Sequence, residues 1–192
     1  MSPAVRPDAH PAPVETERLL LPRLAHAHTG DLAKIYEDVA VARFIGGPHL
    51  TSDATRAQIN TFEAIWHRRG YGQSAVIEKS TGQMIGRVGL HDWPAWDAVE
   101  LGYVIRADRQ GQGFAREASR AWIDWAEHEL DSDALIAVIQ PENLASIRLA
   151  TQLGFQHGRP DVTPKGVHVQ IYRRELESRR RHGPGSRDDT SG

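Results

Sequence analysis

The residues best placed to do chemistry form one short run, Arg109-Gln110-Gly111-Gln112-Gly113-Phe114-Ala115, between a strand-like and a helix-like segment. Glycines at such a junction let successive backbone N–H groups converge, and the start of the following helix adds positive potential. A pyrophosphate suits that combination, with Arg109 and Arg116 near enough to assist. Taken alone, Gly111 and Gly113 also serve as a plain turn. No Gly-Lys-Ser/Thr follows, which excludes a Walker loop. Arg116 takes the place of the third glycine in Gly-x-Gly-x-x-Gly and would crowd helix–strand packing, so the dinucleotide fingerprint fails too. What remains is a phosphate-binding loop of another type.

Other chemistries are closed by composition. The chain has no cysteine, which excludes disulfides, thiol nucleophiles and cysteine zinc sites. Its 10 histidines are scattered without metal spacing. His26 and His28 are a loop pair and no HExxH occurs, so no metal is expected. With 23 Lys+Arg against 25 Asp+Glu in 192 residues, the net charge of -2 argues against a partner made of nucleic-acid phosphates or an acidic membrane. Arg179, Arg180 and Arg181 accordingly read as a solvated tail. No apolar run approaches the roughly 18 residues of a membrane span, and the Pro/Ala-rich start lacks a signal peptide's apolar stretch. A cytoplasmic protein is expected.

The elements that must position the loop can be placed by periodicity. Prolines at 3, 7, 11 and 13 make residues 1–14 an expected disordered segment, and residues 178–192 read likewise. One domain is expected over 15–177. It begins with a short strand from Arg18 to Pro22. Thr29 or Asp31 can cap a helix with Leu32, Ile35, Tyr36 and Val39 on one face. After Gly46-Gly47-Pro48, Thr51 or Ser52 starts a second helix with Ile59, Phe62 and Trp66 inward and Gly70 at its end. Ser74 to Lys79 and Met84 to Leu90 flank Thr81-Gly82 as a hairpin. A loop with Trp93, Pro94 and Trp96 leads to a strand from Val99 to Ile105. Phe114 to Glu129 is an amphipathic helix that buries Ala118, Trp122 and Ala126. A strand from Leu135 to Ile139, a helix from Asn143 to Leu153 and a strand from Val167 to Glu175 complete the pattern. This order implies an α/β (α+β) fold, a mixed sheet covered by helices on both faces.

At this point the sequence resembles a family. Gln110-Gly111-Gln112-Gly113-Phe114-Ala115 matches the Q/R-x-x-G-x-G/A acyl-CoA loop of GNAT N-acetyltransferases. Thr16-Glu17-Arg18-Leu19, Glu100-Leu101-Gly102-Tyr103, Glu117-Ala118, Asn143-Leu144-Ala145-Ser146 and Leu153-Gly154-Phe155 are similar, in order and spacing, to its RimJ/RimL branch. The resemblance runs from about Glu15 to Phe155. It implies a mostly antiparallel central sheet in which the strand holding Tyr103, Val104 and Ile105 carries a bulge. That strand would splay from Leu135–Ile139 to form an acyl-CoA slot.

Pantetheine amides would pair with the exposed strand edge, the loop from Gln110 to Ala115 would hold the pyrophosphate, and Asn143 would hydrogen-bond the pantetheine arm. Asn143 also reads as an ordinary helix N-cap. The implied reaction is direct acetyl transfer from acetyl-CoA to an amine. It needs a base for the ammonium and backbone donors for the oxyanion. Glu100 is the first candidate base, with Asp92 and His91 in reserve; a solvent-facing strand glutamate with an arginine partner is its plain alternative. Many relatives protonate the leaving thiolate from a tyrosine five residues before the phenylalanine of Leu-Gly-Phe, but here that position is Ala150. Ser146, one turn after Asn143 on the same face, becomes the candidate acid and a contact for the CoA arm. Arg109 replaces a common tryptophan and should alter packing or add a phosphate contact.

For the acceptor, Trp93 and Trp96 are the candidate contacts, since tryptophan faces receive cationic amines. Phe44-Ile45-Gly46-Gly47 resembles the branch's acceptor-side segment, which adds Phe44. Tyr71 is a further candidate, whereas Trp66 fits the core. RimJ/RimL relatives modify protein N-terminal α-amines and neighbouring members modify small amines, and the sequence does not choose. An amine acceptor is thus the expected partner of a monomer or homodimer. The contrasting reading is a catalytically silent acyl-CoA-binding regulatory module. The departure at Ala150 leaves it open.

Overall fold

A computed structural model describes residues 14–45 and 51–177, with Val5 and Ala12. The segments expected to be disordered at both ends, apart from Val5, Ala12 and Val14, and the Gly46-Gly47 part of the acceptor-side segment lie outside the described residues. Val5 bridges to Leu130, and Leu21 N–H donates to the Val14 carbonyl at 2.7 Å.

Seven strands form one sheet: β1 (Leu19–Leu20), β2 (Gln73–Glu78), β3 (Gln83–Trp93), β4 (Ala98–Ile105), β5 (Ala134–Ile139), β6 (Gln156–Val162) and β7 (His168–Glu175). Their order is β1-β2-β3-β4-β5-β7-β6, and every pairing is antiparallel except β4 with β5. The mixed, mostly antiparallel sheet expected from the sequence is therefore present.

Helices α1 (Thr29–Tyr36), α2 (Val39–Ala42) and α3 (Ser52–Arg69) bury Leu32, Ile35, Tyr36, Val41, Ile59 and Phe62 against Ala75 and Val104 of one sheet face. The opposite face packs Val76, Val88, Leu90 and Leu101 on α4 (Phe114–Glu129), whose Ala118, Trp122 and Ala126 are each fully buried. The hydrophobic effect fixes both layers, because an amphipathic stripe of this period can hide only against an apolar sheet face. Thr51 caps α3 by accepting from Ala54 N–H at 3.2 Å, and Gly70 ends it at φ 74°.

Two expectations need correction. Val39 does not continue the α1 face and is 70% exposed. Asp38, in extended backbone, accepts from Ala40 N–H at 2.8 Å and caps a separate helix, α2, so the face rotates there. The strand β6 was not expected either, since six of its seven residues are exposed and alternation leaves no apolar face to detect.

Candidate active site

The site grows out of a fault in the sheet. Strand β4 is held to β3 by an unbroken register from Gly86↔Ile105 to Trp93↔Ala98, and β5 is held to β7 from Ala134↔Glu175 to Ile139↔Gln170. The strands β4 and β5 meet only at Glu100↔Ile136. Past that point they diverge, leaving the β4 edge from Leu101 to Ile105 without a strand partner. The splay arises without the expected bulge in β4. No register shift interrupts its ladder with β3, and the opening comes from two well-paired half-sheets twisting apart.

A cleft of about 630 Å³ fills the opening. All the residues expected to hold the acyl donor line it: Tyr103, Val104, Ile105, Gln110, Gly111, Gln112, Gly113, Phe114, Ala115, Asn143 and Ser146. Phe44 also lines it, under the Arg43 guanidinium at 4.1 Å. Sequence reasoning missed Arg148 and Leu149, on helix α5 (Leu144–Gln152), and Ala40 and Val41 of α2, which complete the walls. Nothing in a lone residue on a short helix signals such a contact.

The glycine loop is held open from three sides. Gly111 and Gly113 sit at φ 75° and 84°, backbone that L side chains rarely adopt. A Cβ at Gly111 would meet no atom within 4 Å, so the loop surface is clear for a ligand to approach. Gln110 Nε2 donates to the Ile105 carbonyl at 2.9 Å and Gln112 Nε2 to the Asp108 carbonyl at 3.1 Å. From below, Arg18 donates through Nη1 to the Gln112 carbonyl at 3.2 Å, pairs through Nε with Glu117 at 2.6 Å, and stacks on Phe114 at 4.4 Å. Thr16 donates its hydroxyl to the same Glu117 at 2.5 Å. Three of the sequence motifs, at 16–19, 110–115 and 117–118, thus form one buttress. Arg109 is tied to Glu78 at 3.2 Å and to Asp108 at 3.3 Å, which fixes the strand end to the hairpin turn. Burial works to raise the Glu78 carboxyl, but the hydrogen bonds from Arg109 and Thr81 hold it below its usual range. Asp108 is held low first by the hydrogen bond from Arg106 at 2.6 Å, against burial, with the Arg106 and Arg109 charges adding.

Across the cleft, Asn143 is the N-cap of α5. Its Oδ1 accepts from Ser146 N–H at 3.1 Å, so the plain capping role is realised, and it engages only the oxygen of the amide. The Tyr103 hydroxyl donates to the Ser146 carbonyl at 3.1 Å, lacing β4 to α5 over the slot. Burial raises the Tyr103 pKa to about 12, with the Glu100 charge adding and the Ser146 hydrogen bond opposing, so the phenol keeps its proton. Sequence reasoning assigned Tyr103 through its backbone and overlooked this hydroxyl. Leu153-Gly154-Phe155 has a structural reason as well. Gly154 lies at φ 84°, and a Cβ there would come within 2.6 Å of Arg174 Nη1, which donates to the Leu153 carbonyl at 2.7 Å.

Glu100 lies at the apex where β4 and β5 part. Burial raises its pKa, opposed in turn by the Trp93 hydrogen bond, the Arg87 charge and the Val138 backbone. Trp93 Nε1 donates to Glu100 Oε2 at 2.5 Å, and Trp93 packs on Trp96 with centroids 4.8 Å apart. Trp93 therefore meets the carboxylate and Trp96 stands behind it, and neither expected acceptor contact is among the residues that line the cleft. His91 is the cross-strand neighbour of Glu100 and lies edge-on to Phe62 and Trp93. Burial, aided by Arg87 and opposed by Asp92, lowers its pKa to about 4, a poor match for accepting a proton near neutrality. Asp92 is removed from the reserve bases. It is 4% exposed and bound to Arg69 at 3.0 Å, pointing to the α4 side by strand alternation. Tyr71 is likewise removed from the acceptor contacts, being fully buried in the core beside Trp125.

The fold that brings together the splayed pair, the positive-φ glycine loop and the apical carboxylate is shared with known proteins. The family model described as the acetyltransferase (GNAT) domain matches residues 18–156. The chain belongs to the GNAT acetyltransferases. An N-acetyltransferase of uncharacterised role, p20 of Bacillus licheniformis, is 27% identical over 82% of this chain and 91% of its own. The solved GNAT structures include an acetyltransferase from Agrobacterium tumefaciens, 28% identical with a TM-score of 0.73 over 83% of this chain and 92% of that one. RimL, the ribosomal L7/L12 α-N-protein acetyltransferase solved with coenzyme A, shares the fold at a TM-score of 0.71 and 19% identity, over 88% of this chain and 99% of that one. Among the described residues of this GNAT chain, no cluster of three or more histidine, aspartate or glutamate side chains is arranged to hold a metal, and no helix is long and apolar enough to cross a membrane.

Proposed function

We propose that this acetyltransferase moves an acetyl group from acetyl-CoA directly to a primary amine, with Glu100 as the base. The observation that carries the reading is the position of Glu100. It stands at the register point joining β4 to β5, three residues before the cleft-lining Tyr103 on the same strand, and burial raises its pKa. Acetyl-CoA supplies an activated thioester, and the chain's own groups bind it and move the protons. The unpartnered β4 edge offers peptide groups to the amides of the pantetheine arm and to an oxyanion. The clear surface at Gly111 and the start of α4 suit a pyrophosphate, and the exposed Arg116 and Arg148 at the rim suit further phosphate charge.

Glu100 takes the ammonium proton, and its raised pKa brings it nearer to the working pH than an ordinary glutamate. With Ala150 in the usual tyrosine position and only 1% exposed, the proton for the leaving thiolate comes from the α5 side of the cleft. There the Ser146 hydroxyl and the phenol of Tyr103 are the available donors. The similarity to RimL makes peptide N-termini one acceptor class and small amines the other.

The same Ala150 is the observation favouring a catalytically silent acyl-CoA binder. Calorimetry with acetyl-CoA, followed by thiol-release assays with peptide N-termini and small amines, separates the two. The expected result is binding together with turnover on one class. Tight binding with no turnover on either class would select the silent binder, and absence of binding would overturn both.

A further inference from the structure

Behind Glu100, the sheet face turned toward α1 and α3 carries an arginine that acetyl transfer does not use. Arg87, on β3, is 8% exposed. Its Nε donates to the Tyr36 hydroxyl at 2.7 Å and its Nη1 to Gln73 Oε1 at 2.8 Å, both neutral oxygens, and its guanidinium lies 5.1 Å from the Phe62 ring centre. Among the described residues no carboxylate comes within ion-pair distance of it. A guanidinium has five N–H donors, and burying one without a counter-charge is costly unless something else supplies the anion.

The place for that anion is marked by a missing side chain. Gly102, between Glu100 and Val104 on the same face of β4, is partly open to solvent. A Cβ there would find three polar tips around it: Gln73 Nε2 at 3.6 Å, Glu100 Oε1 at 3.8 Å and Arg87 Nη1 at 3.9 Å. One amide donor, one carboxylate and one guanidinium converge on a side-chain-free floor. The carboxylate and the guanidinium stand too far apart to pair with each other and near enough to share a small ligand. Gln73 is 1% exposed, and its oxygen is already committed to Arg87, which turns its donor end to the floor. Trp93 and His91 wall the Glu100 end.

We infer that the acceptor is a free α-amino acid, its carboxylate bound by Arg87 and Gln73 over Gly102, its ammonium at Glu100, and an apolar side chain against the Trp93–Trp96 pair. This rests on the transfer reading and narrows it. A peptide N-terminus offers a neutral carbonyl where the carboxylate would sit and leaves the buried guanidinium uncompensated. The free acid supplies both charges at the spacing the floor requires.

The test is titration of the CoA-loaded protein with L-leucine, L-methionine, L-phenylalanine and L-tryptophan and with the primary amide of each. At least one free acid is expected to bind about tenfold or more tightly than its amide, and R87M to remove that preference by weakening the acid alone. Should R87M not fold, Gly102→Ala serves. It meets only side-chain tips at ordinary contact distance and is expected to exclude the acid. Acid and amide binding alike, neither binding, or unchanged acid binding in Gly102→Ala would overturn the inference. Thiol release with peptides or other amines would then leave the transferase standing. Acid-selective binding without thiol release from acetyl-CoA would keep the site and discard the transfer.

Discussion

Glu100 illustrates how one position can be set for chemistry at a cost to stability. A carboxyl whose pKa is raised on folding binds its proton more tightly in the native state than in the unfolded one. Its contribution to stability therefore falls as pH rises from the ordinary glutamate range through the native pKa. Glu100→Gln keeps an oxygen for Trp93 Nε1 and removes that titration. It is expected to melt higher than the parent at about pH 8, with the gap closing toward about pH 5 in thermal melts. Equal melting at both would place the native pKa at its ordinary value. On the opposite wall, Ser146→Ala and Tyr103→Phe are expected to divide the thiolate's proton supply. Whichever hydroxyl donates should lower kcat by about tenfold or more while leaving the KM for acetyl-CoA within a few-fold, and unchanged kcat in both would remove both from the step.

At the scale of elements, the loop between β4 and α4 is a device of geometry. Gly113 at φ 84° and the Arg18 buttress 3.5 Å from its Cβ position leave no strain-free place for a side chain. Gly113→Glu is expected to lose about 100-fold or more of acetyl-CoA affinity by calorimetry, since it adds left-handed strain of about 1 kcal/mol and a negative charge at the proposed phosphate site. Unchanged affinity would move the phosphate site elsewhere. The loop was readable from sequence because glycine spacing and the period of Ala118, Trp122 and Ala126 are local signals. β6 was not, because a strand with Gly158 and Pro160 and almost every residue in water has neither period nor propensity. The α1–α2 break was missed for a related reason: one aspartate cap outweighed a valine that fitted the apolar spacing.

For the whole molecule, the two half-sheets meeting at one register pair explain both the cleft and its charge pattern. The residues expected to hold the acyl donor could be grouped from sequence because they lie within two short runs, 103–115 and 143–146, which the fold brings to one cleft. The proposed acceptor wall was legible only at Glu100, since Gln73, Arg87 and Gly102 join it from three strands and converge only through pairing. The fold also carries an acid-sensitive load. His91 has a native pKa of about 4 against an ordinary 6.5, so its stabilising contribution is whole above 6.5 and is lost as pH falls toward 4. Denaturant melts are expected to show up to ~3 kcal/mol of loss over that window in the parent, much reduced in His91→Leu, where the Glu100 slope of opposite sign remains. An unaltered slope in His91→Leu would assign the loss to other groups. The most direct test of the central claim is the pH profile of thiol release from acetyl-CoA with a turned-over amine, for the parent and Glu100→Gln. The parent should show an acidic limb above the ordinary glutamate range, and Glu100→Gln should lose that limb with kcat reduced about 100-fold or more. A full rate in Glu100→Gln, with the limb intact, would contradict the account.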